Sequence, residues 1–429
     1  MQETFDGLGI APRILETLAR LRFSSPTPIQ AKAIPVGIEG KDVVGIAQTG
    51  TGKTLAFGIP MLQQLASKKG RGLVLVPTRE LAMQVDVMLQ QIGRPVGLRT
   101  AVLIGGASMV NQIASIRRNP HIIVATPGRL LDHLQQKTVS LKDVRVLVLD
   151  EADRMLDMGF APQIERILAA APKPEERQTL LFSATMPATI VSIARKHMRM
   201  PLRVEVAPSG TAAEKVDQEI FVVTKADKPR MLEKILAETR GPVLVFMRTK
   251  HTAKKLTRLV QHMGYAAAEI HSNRSLAQRK AALDAFKNGA VRVLVATDIA
   301  ARGIDVKGIA MVVNFDLPTS PEDYVHRIGR TGRAGEGGRA VSFMMPDQRR
   351  DLQDIERLIR KSLPLKQVSG LPPQRAVPSM PRQVQRHRQR VDGERRYHRA
   401  TPPHRKSSRG RRSSHRTGGT RTYRPISLP

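Results

Sequence analysis

A glycine-rich segment near the N-terminus has the composition of a loop that binds phosphate. Its residues are Ala47, Gln48, Thr49, Gly50, Thr51, Gly52, Lys53 and Thr54. The glycines permit a tight turn whose backbone N–H groups can surround the phosphates of ATP at the start of a helix. Lys53 can neutralise the β- and γ-phosphates, and the Thr54 hydroxyl can bind Mg²⁺. Ala47 stands where the usual pattern begins with glycine, and the rest of the pattern is intact.

An acidic pair further along the chain supplies the complementary chemistry. Asp150 and Glu151 directly follow the apolar run Val144–Leu149, and α/β sheets bind ligands at the carboxyl ends of their strands. Asp150 is placed to hold Mg²⁺ largely through water, because this ion keeps much of its hydration. Glu151 can orient and deprotonate an attacking water molecule.

The segment Phe23–Gln30, with sequence FSSPTPIQ, lies before the phosphate loop. The Gln30 amide can pair with the edge of adenine, and the Phe23 ring can stack on the base. Taken alone, the segment predicts only a proline-rich turn that leads into a helix.

Short β-branched runs alternate with longer amphipathic stretches as far as about residue 345, which predicts repeated βαβ units around parallel sheets. Helices are expected at Arg13–Leu21 and Ala253–Met263. The predicted strands are Val43–Ala47, Gly72–Val76, Thr100–Ile104, His121–Ala125, Val144–Leu149, Thr179–Phe182, Ile220–Val223, Val243–Phe246, Ala267–Ile270, Val291–Ala296, Met311–Phe315 and Ala340–Met344. Two such sets predict an α/β protein with two doubly wound lobes. The pentapeptide VRVLV occurs at 144–148 and at 291–295, which hints that the lobes are related.

Composition divides the chain into four parts. Residues 1–206 and 217–363 are the predicted lobes, and the small, polar residues 207–216 are the predicted linker between them. Residues 364–429 contain 17 Lys and Arg against two Asp and Glu. Such a segment cannot bury a core, so we expect a disordered basic tail. The tail serves either as a nonspecific RNA anchor, which we favour, or as a solubilising appendage.

The charge of the chain favours a polyanionic partner. The formal net charge is +33 and the isoelectric point is about 11.3, which favours nucleic acid or the ribosome over an anionic membrane surface. Only 3% of the residues are aromatic, so contacts with the sugar–phosphate backbone are favoured over base stacking. The sequence contains no cysteine and no apolar run long enough to cross a membrane. We therefore expect a cytoplasmic protein without a membrane partner.

An ordered series of further motifs gives the chain a family resemblance over about residues 4–345. The series resembles the DEAD-box RNA helicases, and more closely the bacterial RhlE-type helicases, with FSSPTPIQ similar to their adenine-sensing Q motif. Besides the phosphate loop, the motifs are Pro77–Ala82, Gly105–Gly106, Thr126–Arg129, Asp150–Asp153, Ser183–Thr185, Val245–Thr249, Ala296–Asp305 and His326–Arg333.

The resemblance implies two RecA-like lobes that close together on ATP and RNA. Asp305 would then contact the ribose, while Arg330 and Arg333 would be arginine fingers that reach the γ-phosphate from the second lobe. Ser183 and Thr185 would couple hydrolysis to strand separation. Because both lobes would stabilise the transferring phosphoryl group, hydrolysis would require closure.

The resemblance also implies a set of RNA contacts that read the backbone rather than the bases. These residues are Arg79, Gly106, Thr126, Arg129, Thr249, Arg279 and Thr297. RNA would be bent and a short duplex separated locally, without long-range translocation. The chain departs from the family at Arg22, where glycine is frequent, and at Leu276, where the QxxR element has glutamine. The second departure puts the Arg279 contact in doubt.

Three other functions were weighed against an RNA helicase. An ATP-gated RNA clamp or ribonucleoprotein scaffold would use the same motifs but release little duplex per ATP hydrolysed. A DNA helicase with related lobes would be stimulated by DNA, although the PTRELA, SAT and DEAD motifs argue against it. A structural protein with an inactive site is the least favoured. We further expect a monomeric core and ribosome-assembly or RNA-decay proteins as partners.

Overall fold

The computed structural model describes residues 4–48, 50–206, 216–298, 306, 308–332, 337–368 and 370–373. These residues form two lobes, each built on a seven-stranded sheet in which every strand pair is parallel. The predicted α/β class with two parallel-sheet lobes is confirmed. The positions Thr49, Asp305 and Arg333, residues 207–215 of the predicted linker and the tail from residue 374 lie outside the described residues.

The first lobe has the strand order β3-β4-β2-β5-β6-β1-β7. Its strands are β1 (Val43–Ile46), β2 (Arg71–Leu75), β3 (Thr100–Leu103), β4 (Ile122–Ala125), β5 (Val144–Leu149), β6 (Gln178–Ser183) and β7 (Leu202–Glu205). Its helices are α1 (Pro12–Arg20), α2 (Pro28–Ile38), α3 (Lys53–Ser67), α4 (Arg79–Gly93), α5 (Met109–Arg117), α6 (Pro127–Gln135), α7 (Ala152–Asp157), α8 (Ala161–Ala170) and α9 (Ala188–His197).

The second lobe has the strand order β10-β11-β9-β12-β13-β8-β14. Its strands are β8 (Val216–Val222), β9 (Val243–Met247), β10 (Ala267–Ile270), β11 (Val293–Thr297), β12 (Met311–Asn314), β13 (Gly338–Met344) and β14 (Leu365–Gln367). The helices described in this lobe are α10 (Lys228–Glu238), α11 (Lys250–His262), α12 (Leu276–Lys287), α13 (Pro321–Ile328) and α14 (Arg349–Ile359).

Apolar side chains on both faces hold each sheet between two layers of helices. In β5, Val146 and Val148 pack into the core on one face, whereas Leu147 and Leu149 pack into the core on the other. Successive side chains of a strand point to opposite faces, so a strand covered by helices on both sides is apolar at nearly every position. This explains why the central strands are recognisable as continuous apolar runs in the sequence.

The two lobes have the same strand order, position by position. The repeated VRVLV pentapeptide nevertheless lies on strands that do not correspond. Its first copy lies entirely on β5, the fourth strand of the first sheet, and its second copy leads into β11, the second strand of the other sheet. The likeness of the lobes is therefore one of topology, and the pentapeptide is not a trace of duplication.

Both strands missed from the sequence lie at sheet edges. Strand β7 buries only Val204, and all three residues of β14 are exposed, so neither has an apolar signal. Strand β14 pairs with β8, from Leu365 opposite Ile220 to Gln367 opposite Val222. The predicted tail boundary at residue 364 was therefore too early, because the second sheet extends beyond it. Likewise Val216, predicted as the end of the linker, is the first residue of β8.

Within the described parts of the chain, no helix combines the length and the apolar character needed to span a lipid bilayer.

Candidate functional site

The phosphate loop connects β1 to α3 at the carboxyl edge of the first sheet. Gly50 and Gly52 have φ angles of 83° and 88°, in the left-handed region that favours glycine. Lys53, the first residue of α3, is buried, and its Nζ donates a hydrogen bond of 3.0 Å to the Ala47 carbonyl. The ammonium group is thus held within the turn that the sequence predicts to surround phosphate. Thr54 follows on the first turn of α3 and is half-buried.

The segment before α2 braces this loop. Thr27 Oγ1 donates to the Thr51 carbonyl at 2.7 Å, and Gln30 Nε2 donates to the Gly52 carbonyl at 3.0 Å. Gln30 Oε1 also accepts a bond of 2.9 Å from the Thr27 amide, which caps α2. Each amide atom of Gln30 therefore keeps one unused valence, a hydrogen on nitrogen and a lone pair on oxygen. These are the donor and the acceptor that the edge of adenine requires.

Phe23, the residue predicted to stack on adenine, has its contacts within the first lobe. Phe23 is half-buried and packs against the first-lobe core, with Phe5, Leu15 and Leu18 around the same open pocket. Arg22, which precedes it, has a φ of 62°. The backbone of a non-glycine residue is strained in this left-handed conformation. This strain explains why glycine is frequent at this position in the family.

The acidic pair lies at the end of β5. Asp150 is 3% exposed, and its Oδ1 accepts a hydrogen bond of 2.9 Å from the Glu151 amide. Burial raises the pKa of Asp150 to about 6, against the opposing charge of Lys53. Glu151 is also buried and adopts a left-handed conformation, with φ and ψ both at 51°. Such a conformation in a non-glycine residue costs of order 1–3 kcal/mol and is typical of functional sites.

Asp153 connects the acidic motif to the Ser183–Thr185 motif, a role that was not assigned from the sequence. Its Oδ2 accepts hydrogen bonds from the amides of Ala184 and Thr185, at 3.1 and 2.8 Å, and from Thr185 Oγ1 at 2.9 Å. Its own amide donates to Ser183 Oγ at 3.2 Å. The spacing of the two motifs in the sequence gave no sign of this contact, which depends on the neighbouring positions of β5 and β6.

Helix α13 of the second lobe meets this corner of the first lobe. Arg154 Nη1 lies 2.9 Å from Asp323 Oδ1 and 3.2 Å from His326 Nδ1. Burial and the charge of Arg154 lower the pKa of His326 to about 4, so the ring is neutral at pH 7 and Nδ1 can accept this bond. The contact encloses a narrow cavity lined by Lys53, Glu151, Asp153, Arg154, Ala184, His326 and Arg330. The structure thus brings Arg330 together with Lys53 and Glu151.

The predicted RNA residues of the first lobe follow β2, β3 and β4, which form the opposite half of the sheet edge. The Arg79 guanidinium lies so close to Gly106 that a Cβ on this glycine would collide with it, and Gly106 has a φ of 77°. Arg129 Nη1 donates to the Ala107 carbonyl at 3.1 Å. Thr126 is the residue before α6, and its side chain does not cap the helix. The structure therefore brings these four residues to one part of the edge.

In the second lobe, the predicted RNA residues occupy the corresponding strands. Thr249 is exposed and caps α11, with its side chain accepting a bond from the Thr252 amide. Thr297 ends β11 and is buried. The next residue, Asp298, binds Arg327 through both oxygens, from Nε at 2.6 Å and Nη2 at 2.8 Å. Arg327 was not among the predicted site residues, and it fixes the end of β11 against α13.

Arg279, an expected RNA contact, lies where the two lobes meet. It is buried, and its Nη2 is 2.8 Å from Glu80 Oε2 on α4 of the first lobe. Leu276, one turn earlier on α12, packs against the hydrophobic core of the first lobe. The face of α12 that carries both residues is thus turned to the other lobe, and the departure from the family's glutamine gives an apolar contact there.

The chain matches the models of two protein families, "DEAD/DEAH box helicase" over residues 27–193 and "Helicase conserved C-terminal domain" over residues 227–335. It is 45% identical over 364 residues to the DEAD-box ATP-dependent RNA helicase CshA of Geobacillus kaustophilus, which covers 84% of this chain and 77% of that protein. The chain belongs to the DEAD-box helicase family. It is an ATP-dependent RNA helicase, an enzyme whose ATP hydrolysis is stimulated by RNA.

Other known proteins agree with this DEAD-box assignment. The CshA protein of Bacillus subtilis is 44% identical over 367 residues, 85% of this chain and 74% of that protein. The structure of S. cerevisiae Dbp5 bound to RNA and ADP BeF3 superposes with a TM-score of 0.76 at 32% identity, over 85% of this helicase and 95% of Dbp5. Mss116p bound to ssRNA and AMP-PNP gives a TM-score of 0.80 at 26% identity, over 86% and 80% of the two chains. The lobes of the helicase are accordingly RecA-like.

Proposed function

We propose that the helicase hydrolyses ATP where its lobes meet, with groups from both lobes acting on the γ-phosphate. Lys53 binds the β- and γ-phosphates, Glu151 deprotonates the attacking water and Arg330 stabilises the charge that develops on the transferring phosphoryl group. The proposal depends on one observation, the common cavity of these three residues. Arg333 is proposed as the second arginine finger, and Asp305 as the ribose contact, on the resemblance alone.

We propose Mg²⁺ as the metal of this reaction. The buried carboxylate of Asp150 has a raised pKa because burial disfavours its charge, and a divalent cation would offset this cost. Thr54 supplies a hydroxyl oxygen, a ligand type that Mg²⁺ prefers. The ion would neutralise phosphate charge. Asp150 and Thr54 are the protein groups that we assign to it, and Mg²⁺ usually keeps several of its waters.

RNA is proposed to lie along the same half of the carboxyl edge in both lobes. Positions one to three of each sheet are β3, β4 and β2 in one lobe and β10, β11 and β9 in the other. These strands lead into the proposed contacts, which are Arg79, Gly106, Thr126 and Arg129 in the first lobe and Thr249 and Thr297 in the second. For Arg279 we propose a role in the ion pair with Glu80 between the lobes rather than in RNA binding. Backbone contacts on both sides would bend the strand and separate a short duplex locally.

Coupling of hydrolysis to strand separation is proposed to pass through Asp153. Its carboxylate holds Ala184 and Thr185, while its neighbour Arg154 contacts Asp323 of the second lobe. A change at the γ-phosphate can thus reach the lobe contact through two adjacent residues. Ser183 and Thr185 keep the coupling role that the resemblance assigns to them.

Several finer assignments belong to the same proposal. The relatives described above are named CshA, so membership of the RhlE-type subgroup stays a prediction. Cytoplasmic residence, a monomeric core and ribosome-assembly or RNA-decay partners are likewise proposed from sequence and family. The alternative of a slow ATP-gated RNA clamp differs from an unwinding enzyme in duplex released per ATP hydrolysed.

The proposal is tested by steady-state ATPase measurements at fixed salt, with the protein alone, with single-stranded RNA and with DNA of the same sequence. We expect strong stimulation by RNA and little by DNA. The variant Glu151→Gln should bind ATP and lose turnover by several orders of magnitude, and it also controls for contaminating ATPases. Near-normal turnover in Glu151→Gln would remove Glu151 as the base. Equal stimulation by DNA would contradict RNA selectivity, and RNA binding without stimulation would favour the clamp.

A further inference from the structure

The exposed face of α11 carries a concentration of positive charge that the proposed ATP and RNA sites do not use. The helix contains Lys250, Lys254, Lys255 and Arg258, together with His251 and His262, and it contains no Asp or Glu. Its apolar residues Ala253, Leu256 and Val260 pack against the sheet. The cations therefore lie on the side that faces solvent, where all but the half-buried Lys250 are exposed.

The ion pairing of these four cations differs from that of several other cations of the second lobe. Within the described residues they form no ion pair, whereas many other cations of this lobe have an acidic partner within 3.0 Å. Such pairs are Lys228–Asp316, Arg230–Asp227, Arg327–Asp298, Arg339–Glu219 and Arg357–Asp354. The face of α11 is thus a strip of uncompensated charge that runs from Lys250 to Arg258, about 12 Å along the helix at about 1.5 Å per residue.

The strip weakens the helix that carries it. Lys250 and Lys254 are four residues apart, as are Lys254 and Arg258, and like charges at this spacing destabilise a helix by about 0.2–0.5 kcal/mol per pair. Lys250 also lies in the first turn, where the helix dipole disfavours positive charge. A bound polyanion would offset these costs.

The position of the helix indicates which polyanion. Helix α11 begins directly after Thr249, a proposed RNA contact, and runs back along the sheet beside β9, β10 and β11. We propose that the exposed face of α11 binds the phosphate backbone of RNA that continues beyond Thr249, and so extends the RNA site down the side of the second lobe. This proposal rests on the RNA contact proposed at Thr249.

The test compares two triple variants of the full chain. The first, Lys254→Gln, Lys255→Gln and Arg258→Gln, removes three charges from α11. The control, Arg349→Gln, Arg350→Gln and Lys361→Gln, removes three exposed charges from the α14 region, whose core residues pack on the other face of the same sheet. Binding is measured across a range of salt, with a non-hydrolysable ATP analogue. The probes are an oligoribonucleotide just long enough to span the lobes, a longer oligoribonucleotide, and poly-glutamate.

For the longer RNA, we expect the α11 variant to make the slope of log K against log salt less steep by about 2, because each single-strand phosphate contact contributes about 0.7. Its affinity for the short RNA and the melting temperature should not fall, and the control should match the wild type with both RNAs. Wild-type binding of the short RNA tests the Thr249 site itself, separately from the strip.

Three results would overturn the proposal. The α11 variant could match the control with the longer RNA, which would make the strip a solvated surface. It could lose affinity for the short and the longer RNA equally, which would mean that it does not extend the site. It could also lose affinity for poly-glutamate while it keeps full affinity for the longer RNA, which would assign the strip to an acidic protein segment.

Discussion

At the scale of single residues, Gln30 combines a structural role in the phosphate loop with a proposed contact to adenine. Its amide braces the Gly52 carbonyl and the Thr27 amide, and its remaining valences can face adenine. The variant Gln30→Ala should therefore weaken ATP binding and also reduce the preference for ATP over GTP. Thr27→Val removes the bond to the Thr51 carbonyl and the capping contact with the Gln30 backbone but leaves the Gln30 side chain in place, so it should weaken the binding of both nucleotides equally. Fluorescent nucleotide titrations would measure the four affinities, and an unchanged ATP/GTP ratio in Gln30→Ala would exclude base reading.

Arg22 offers a second prediction, about backbone strain. A left-handed conformation costs a non-glycine residue roughly 1–2 kcal/mol, of which the greater freedom of glycine in the unfolded chain cancels about 0.4–1 kcal/mol. We therefore expect Arg22→Gly to raise the free energy of unfolding of the first lobe modestly. Arg22→Ala loses the same side chain but keeps the strain, so it serves as the control in denaturant unfolding. Equal stability of the two variants would contradict the strain.

At the scale of elements, the burial of a strand determined whether it could be predicted from the sequence. The twelve strands expected from apolar runs are all present, whereas the exposed edge strands β7 and β14 had no signal. Lys53 and Asp150 could be proposed from the sequence because each belongs to a local motif that follows a buried strand. The contacts of Asp153 and Arg327 were missed because they depend on which strands and helices become neighbours, and no local spacing records that.

The lobe contact made by α12 leads to a third prediction. The Arg279–Glu80 pair is buried, and removing one partner of a buried pair leaves an uncompensated charge that costs about 3–5 kcal/mol. Arg279→Gln and Glu80→Gln should each reduce the closed fraction, and the double variant should reduce it by less than their sum. Energy transfer between dyes on the two lobes, with RNA and a non-hydrolysable ATP analogue, would measure closure. Lys280→Gln, an exposed neighbour on α12, is the control, and additive effects would mean that the pair does not act across the lobes.

At the scale of the whole molecule, the start of the basic tail and the end of the second lobe can be tested by two deletions at different residues. Residues 374–429 contain 16 Lys and Arg against two Asp and Glu. By contrast, Ile220 donates to the Pro364 carbonyl at 3.1 Å and Arg230 to the Pro372 carbonyl at 2.6 Å, so residues 364–368 and 370–373 belong to the second lobe. Leu371 also packs against the core there.

A chain that ends at residue 373 should keep its melting temperature and basal ATPase, but bind RNA more weakly and with a less steep salt dependence, because phosphate contacts are lost. A chain that ends at residue 363 should show the same loss of RNA affinity together with a lower melting temperature, because β8 loses its edge partner. The two chains control for each other in RNA titrations and thermal unfolding. Full RNA affinity in the longer chain would make the basic tail a solubilising appendage, whereas equal melting temperatures would show that β14 adds nothing to the stability of the lobe.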